Sequence, residues 1–399
     1  MPNTTQAQDV ETQLLERARM RAFSMPIGVC AAPLLGVPPD VLRAAIARAV
    51  VRVVARAVES GWRPTDLAQI RARRLSGAAG LCLMDVLADV TAAAGHLRSD
   101  PTWTAELREV TAADPAAAPR PRLTDPTRDA GWPVAAVLDT ALELAGALVL
   151  LPALANATPP ADDARPGGAE AAMLIKVRAL LAKAERTEFE HEAEAFTAKA
   201  QALMARHSID EAVLAADGSG RRADTAVQRI WLDAPYVRAK FSVVSAVATA
   251  NGCQALLNTG LDVATVVGMR HDVRATVLLA TSLQLQVTRA VARVRPDDAD
   301  GWASSVKTYR RSFLFAFAAR IGERLRESTA SAQAHVDSDR LLPVLVDRQA
   351  AVDRAVAEAF PRTTTLRSTA TLDPSGWAAG RAAADLAELG VAPTLRGTG

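Results

Sequence analysis

The stretch "LLAKAERTEFEHEAEAFTAKAQALMARHSID", residues 180–210, gathers the side chains that most often do chemistry: several glutamates, His191, His207, Lys183 and Lys199. Histidines with carboxylates could ligate a divalent metal or exchange protons. Their spacing argues against both. His191 and His207 are sixteen positions apart, which at about 100° per residue sets them roughly 160° apart around one helix. "HEAEA" also lacks the second histidine one turn on that HExxH zinc sites need. His207 falls in line with Phe196 and Leu203, so it reads as a packed histidine. Glu190, Glu192 and Glu194 crowd the start of a helix, where each acid gains about 0.3–1 kcal/mol from the helix dipole. No metal site and no catalytic residue is assigned here.

Two further stretches carry candidate chemistry. In "VKTYRRSFLFAFAARIGERLRE", residues 306–327, Phe313, Phe317 and Ile321 recur every four residues beside Leu314 and Leu325. Lys307, Arg310, Arg311, Arg320 and Arg324 flank that apolar face. Cations beside aromatics could hold phosphates and stack on bases; the plainer reading is a core helix whose arginines lay their stems on apolar surface. In "MRHDV", His271 and Asp272 are neighbours, and adjacent side chains on a helix diverge by about 100°, so no dyad is expected. The chain has neither a GxSxG nucleophile elbow nor a GxxxxGK[ST] phosphate loop. An acid and a lysine after "DVATVVG", as some nucleases place them, are missing too.

The elements that position these residues are mostly helical. Leu174, Val177, Leu181 and Ala184 form one apolar stripe, and Ala193, Phe196, Ala200, Leu203 and Met204 form another. Thr187 and Glu190 have capping-box spacing between the two, and Ser208 and Glu211 repeat it, which predicts a third short helix, "IDEAVLAA". Upstream, helices are expected at 10–23, 39–60, 77–97 and 134–151, with one after "ESGWRP" capped by Thr65. Downstream, "AVQRIWL" alternates as a strand, and "CQALLNTGLDVATVVG" reads as two strands joined through Asn258, Thr259 and Gly260. Helices follow at about 271–294, 303–327, 340–358 and 375–388. The fold class is therefore α+β and predominantly α-helical, with a sheet of about three strands covered by helices. The divisions expected are a helical domain at 1–155, a linker at 156–169, the hairpin at 170–216, a linker at 217–225, an α+β domain at 226–390 and a tail at 391–399.

Charge excludes a strong global field, since 46 basic residues face 44 acidic ones for a net +2. Lysines number 5, and three of them, Lys176, Lys183 and Lys199, lie in the hairpin. Lys176 and Lys183 are nearly co-facial and would present a partner-facing surface. Cys30, Cys82 and Cys253 are scattered and odd in number, which gives no disulfide framework and points to a reducing, cytoplasmic setting. "RARMRAFSMPIGVCAAPLLG" imitates a signal peptide, but it starts late and holds two prolines. The apolar run "VAAVLDTALELAGALVLL" carries Asp139 and Glu143, which argues against a membrane span.

The run "IKVRALLAKAERTEFEHEAEAFTAKAQALMARHSID", with its "LLAKAE", "EAEA", "KAQ" and "LM" blocks, resembles the uncharacterised bacterial and phage family known as domain of unknown function 2786, over residues 173–214. "YRRSFLFAFAARIGERL" and "GWAAGRAAADLA" are similar to what often follows that domain. The resemblance implies fold and kinship, and brings no activity, cofactor or site residues. The leading functional reading is a non-catalytic binding or regulatory protein with nucleic acid as its ligand, gripped by Lys307, Arg310, Arg311, Arg320 and Arg324. The alternatives are a protein-interaction module, assembling with itself or another chain, and an enzyme whose site follows no known motif.

Overall fold

The computed structural model describes residues 4–75, 77–112, 118–125, 127, 131–152, 168–187, 190–216, 225–293, 303–333, 338–365 and 372–386. The chain divides into two compact units, Met1–Ala155 and Asn156–Gly399.

The first unit is helical: α1 (Thr4–Ala22), α2 (Ile27–Ala31), a short 3-10 turn at Ala32–Leu34, α3 (Pro39–Glu59), α4 (Pro64–Arg74), α5 (Gly77–Ala93), α6 (Gly95–Ser99), α7 (Pro101–Ala112) and α8 (Val134–Leu148). Leu42, Ile46 and Val50 of α3 recur at four-residue spacing and are buried, as are Leu138, Leu142 and Ala145 of α8. Glu11 of α1 is buried too, between Arg48 at 3.0 Å and Arg52 at 2.8 Å. Trp62 is enclosed, and its indole N–H donates to the Pro152 carbonyl at 3.1 Å.

Three local expectations are corrected here. The helix expected over 77–97 is two helices, because Ala94 leaves helical geometry at φ −96° and ψ 106°. Thr65 is not the cap of α4: Pro64, which has no N–H to satisfy, takes the first helical position, and the Arg63 N–H donates to the Asp66 carboxylate at 3.3 Å. The Thr65 hydroxyl donates instead to Glu106 at 3.2 Å. Helix α7 had no place in the sequence reading; its start is set by Asp100, whose carboxylate accepts from the Thr102 and Trp103 N–H groups at 2.9 and 3.0 Å.

The second unit runs α9 (Gly168–Arg186), α10 (Glu190–Ala216), β1 (Thr225–Trp231), α11 (Val237–Ala250), β2 (Gln254–Asn258), β3 (Val263–Met269), α12 (Arg270–Arg293), α13 (Ala303–Gln333), α14 (Ser338–Ala359) and α15 (Pro374–Leu386). The three strands are antiparallel in the order β1-β3-β2, with Thr225 opposite Met269 and Gln254 opposite Val267. This is the α+β, predominantly helical class. The turn between β2 and β3 is held by Asn258, whose side-chain oxygen accepts from the Gly260 and Leu261 N–H groups, both at 3.0 Å.

Every residue of the central strand β3 is buried. Alternation explains why. Ala264 and Val266 join the main core with Ala226 and Ile230 of β1 and the buried faces of α11, α12 and α13. Val263, Val267 and Met269 point to the other face, the side on which Gln254 of β2 meets Asp353 of α14 at 2.5 Å.

Helices α13 and α15 approach each other backbone to backbone. A Cβ on Gly376 would lie 2.5 Å from the Tyr309 carbonyl oxygen, and one on Gly380 would lie 2.8 Å from the Phe313 Cα. Glycines four residues apart thus let α15 lie directly on the α13 backbone, and Arg320 and Arg324 clasp its far end.

Candidate functional site

The hairpin supplies core to its unit. Met173, Leu174, Val177 and Leu181 of α9 and Ala200 and Met204 of α10 belong to the same buried cluster as the sheet and α11–α13. Gln201 is fully buried and its amide N–H donates to Asn251, at the end of α11, at 3.2 Å. The "KAQ" block therefore docks α10 on its neighbour. Thr187 does stand between the helices, and its hydroxyl donates to Glu192 at 2.7 Å; the expected capping by Glu190 and the placement of the His191 side chain lie outside the described residues. The third helix expected at Ser208 does not form. Helix α10 continues unbroken to Ala216, because no glycine or proline interrupts it and Ile209 and Ala212 keep its apolar stripe packed on Val344 and Leu345 of α14.

At that end of α10 the polar residues converge. His207 meets His271, the second residue of α12, edge to face with ring centres 5.9 Å apart. His271 Nε2 lies 3.3 Å from the Asp272 carboxylate but without hydrogen-bond geometry, so the neighbours approach and form no hydrogen-bonded dyad. Arg348 of α14 donates to the Ser208 carbonyl at 3.0 Å and is drawn to Asp272 and Glu211. Burial disfavours the His271 imidazolium, but the Asp272 carboxylate, helped by Glu211, outweighs it and raises the histidine above its ordinary value. Cys253 is enclosed nearby, and burial with the Asp272 charge pushes its thiol far up, so it stays protonated and unreactive. Among the described residues no group of three or more His, Cys, Asp and Glu side chains is placed to hold a metal ion.

A different surface is open. Ser242, Ser245, Ala246 and Thr249 of α11 and Phe315, Ala318, Ala319 and Gly322 of α13 line a groove of about 700 Å³. Its floor is smooth because α11 and α13 cross on small residues; a Cβ on Gly322 would meet Ala246 at 3.3 Å. Phe241, Phe315 and Trp377 give it aromatic walls, and among the described residues Arg326 is the one charged residue lining it.

Comparison with known proteins adds one match. Residues 172–211, 40 of the 399, match the family model described as "Protein of unknown function (DUF2786)". The hairpin is a DUF2786 domain. No curated protein and no solved structure matches the chain. The DUF2786 domain carries Lys176, Lys183 and Lys199, all exposed, with the Lys183 ammonium 5.5 Å from the centre of the Phe196 ring.

The α13 cations lie outside the domain and do not form one row. Lys307 is exposed, and Arg310 and Arg311 are half-buried on the first turns. Arg320 pairs with Asp385 and with Glu323, the latter at 3.0 Å, and Arg324 donates to the carbonyls of Ala384 and Asp385. The groove, built from residues that are dull one by one, escaped the sequence reading. Its signal was the small-residue spacing 242-245-246-249 against 318-319-322.

Proposed function

We propose that this protein is a non-catalytic binding module whose second unit takes an amphipathic helix of a partner polypeptide into the α11–α13 groove. The groove itself carries the reading. It extends from Phe315 to Arg326, eleven residues or about 17 Å of helix, which is three turns of an incoming partner. Small side chains on both walls let a third helix approach closely, and ridge-into-groove packing needs such a furrow. Phe241, Phe315 and Trp377 supply the aromatic anchors that dominate binding energies. Arg326, the sole charge lining it among the described residues, selects an acid at one end of the partner's apolar stripe.

Nucleic acid is the second reading considered. Arg320 and Arg324, two of the five cations proposed to grip it, are engaged with α15.

The test is fluorescence anisotropy with a labelled 18-residue leucine–alanine helical peptide bearing one terminal glutamate. Saturable binding is expected, weakened at least tenfold by Ala319→Arg and several-fold by Arg326→Glu. Binding that ignores Ala319→Arg, or no saturation up to about 1 mM, where association is worth only about 4 kcal/mol, refutes the groove reading. A parallel titration with DNA and RNA oligonucleotides at low salt reads the other ligand: affinity that falls steeply with salt would replace the helix by a polyanion.

A further inference from the structure

We infer that the edge of the first unit between α1 and α3, from Phe23 to Pro38, docks on the surface of an anionic lipid bilayer.

The stretch "RARMRAFSMPIGVCAAPLLGVPP", residues 17–39, lies between Glu16 and Asp40 and contains no acid. In the structure it is the end of α1, then α2, and the 3-10 turn that leads to α3. Between Phe23 and Pro38 only Cys30, Ala31 and Leu34 are buried. Phe23, Met25, Val29 and Leu35 face outward, Phe23 at 78% exposure and Val29 at 51%. Twelve large apolar side chains are exposed among the described residues, and four of them fall within 23–35, so they form a patch rather than scatter.

The backbone of this edge is suited to an apolar surrounding, where an unpaired N–H is costly. The N–H groups of Met25, Val29, Cys30, Leu35 and Val37 donate to carbonyls within the edge or at the end of α1. Pro26, Pro33 and Pro38 have no N–H to satisfy.

Cations border the apolar side chains. Arg19, Arg52 and Arg56 line one pocket with Leu15, Val53 and Leu148. Arg52 also pairs with Glu11 at 2.8 Å, whereas Arg19 and Arg56 have no ion pair among the described residues. Phe23 follows Arg19 by one turn, its N–H donating to the Arg19 carbonyl at 3.3 Å. Arg21 donates to the Met25 carbonyl at 3.2 Å, which sets a further cation on the edge itself.

Charge and shape together select the occupant. A second copy meeting this edge about a two-fold axis would set arginines against arginines. A protein partner would need a pocket cut to the projecting Phe23, while the boundary between headgroups and acyl chains accepts projecting apolar side chains without one. Anionic headgroups above that boundary complement the arginines. No helix among the described residues is long and apolar enough to cross a membrane; the contact is interfacial.

The experiment is co-sedimentation of the full chain with vesicles of phosphatidylcholine, alone or with about 30% phosphatidylglycerol, at low and high salt. Retention on the anionic vesicles is expected, at least tenfold weaker on phosphatidylcholine alone and falling as salt screens the charges. A cation near an anionic surface contributes about fivefold to binding, so Arg19→Gln and Arg56→Gln should each lose about that factor. Phe23→Ser combined with Leu35→Ser should lose about tenfold with thermal unfolding unchanged, since both side chains are exposed. No retention on anionic vesicles up to about 1 mM lipid overturns the inference. So does equal retention on the neutral vesicles, or retention that the double substitution leaves intact. Self-association that Phe23→Ser abolishes would assign the edge to a second copy instead.

Discussion

Replacing Gly380 by alanine tests how α15 is seated on α13. The added methyl carbon would lie 2.8 Å from the Phe313 Cα and 2.9 Å from the Ala316 Cβ. Carbon pairs settle at about 3.5–4.0 Å, so α15 must retreat by close to 1 Å at a site fixed by backbone rather than by a side chain that could swing away. Alanine in a helix recovers about 1 kcal/mol relative to glycine. Overpacking costs typically 1–3 kcal/mol and more against rigid backbone. Displacing α15 also pulls Asp385 and the Ala384 carbonyl from Arg320 and Arg324. A net loss of about 1–3 kcal/mol follows, which for a unit of this size lowers Tm by roughly 2–12 °C. Thermal unfolding followed by circular dichroism measures it, with Gly168→Ala as the control, since among the described residues nothing lies within 4 Å of a Cβ there. Unchanged or raised stability in Gly380→Ala would show that α13 and α15 are not in backbone contact.

Two further outcomes are expected. Glu323 accepts from Arg381 at 3.1 and 3.0 Å and from Arg320 at 3.0 Å, and these bonds pull its carboxyl down to about 2 against a smaller opposing effect of burial. A depressed carboxyl stabilises above its ordinary 4.5 and loses that contribution as pH falls toward 2. Because the group is exposed, Glu323→Gln should cost no more than about 1 kcal/mol at neutral pH, and the difference should vanish in unfolding titrations near pH 2. Trp62→Ala in the first unit should cost about 3–5 kcal/mol in chemical denaturation, since it empties a fully buried site and removes the bond to Pro152; a loss under 1 kcal/mol would contradict that burial.

The parts legible in the sequence were those written locally. The stripe Leu174, Val177, Leu181 specifies a helix and its buried face, and Asn258 to Gly260 specifies a hairpin, because every interaction involved lies within a turn or two of chain. Ser208 misled because a capping pattern is a competition: its side chain could start a new helix, but packing on α14, more than 130 residues away, favoured continuing the old one. The histidine cluster was hidden for the same reason. Whether His207 meets His271 depends on how α10 lies beside α12, and Arg348 enters only through α14. The α13 cations were identified as a set by periodicity, yet periodicity carries no word of Asp385, which meets Arg320 from 65 residues on.

The strand order β1-β3-β2 sets a sequence of events during synthesis. The middle strand is the last of the three to be made, and its start at Val263 comes 32 positions after the end of β1 at Trp231. At about 5–20 residues per second the ribosome needs roughly 2–6 s to cover that distance. Strand β2 pairs as soon as β3 emerges, since a tight hairpin closes in about 1–10 μs. Strand β1 must wait those seconds with every ladder partner still unmade. For that interval the backbone edge of β1 has no strand to pair with.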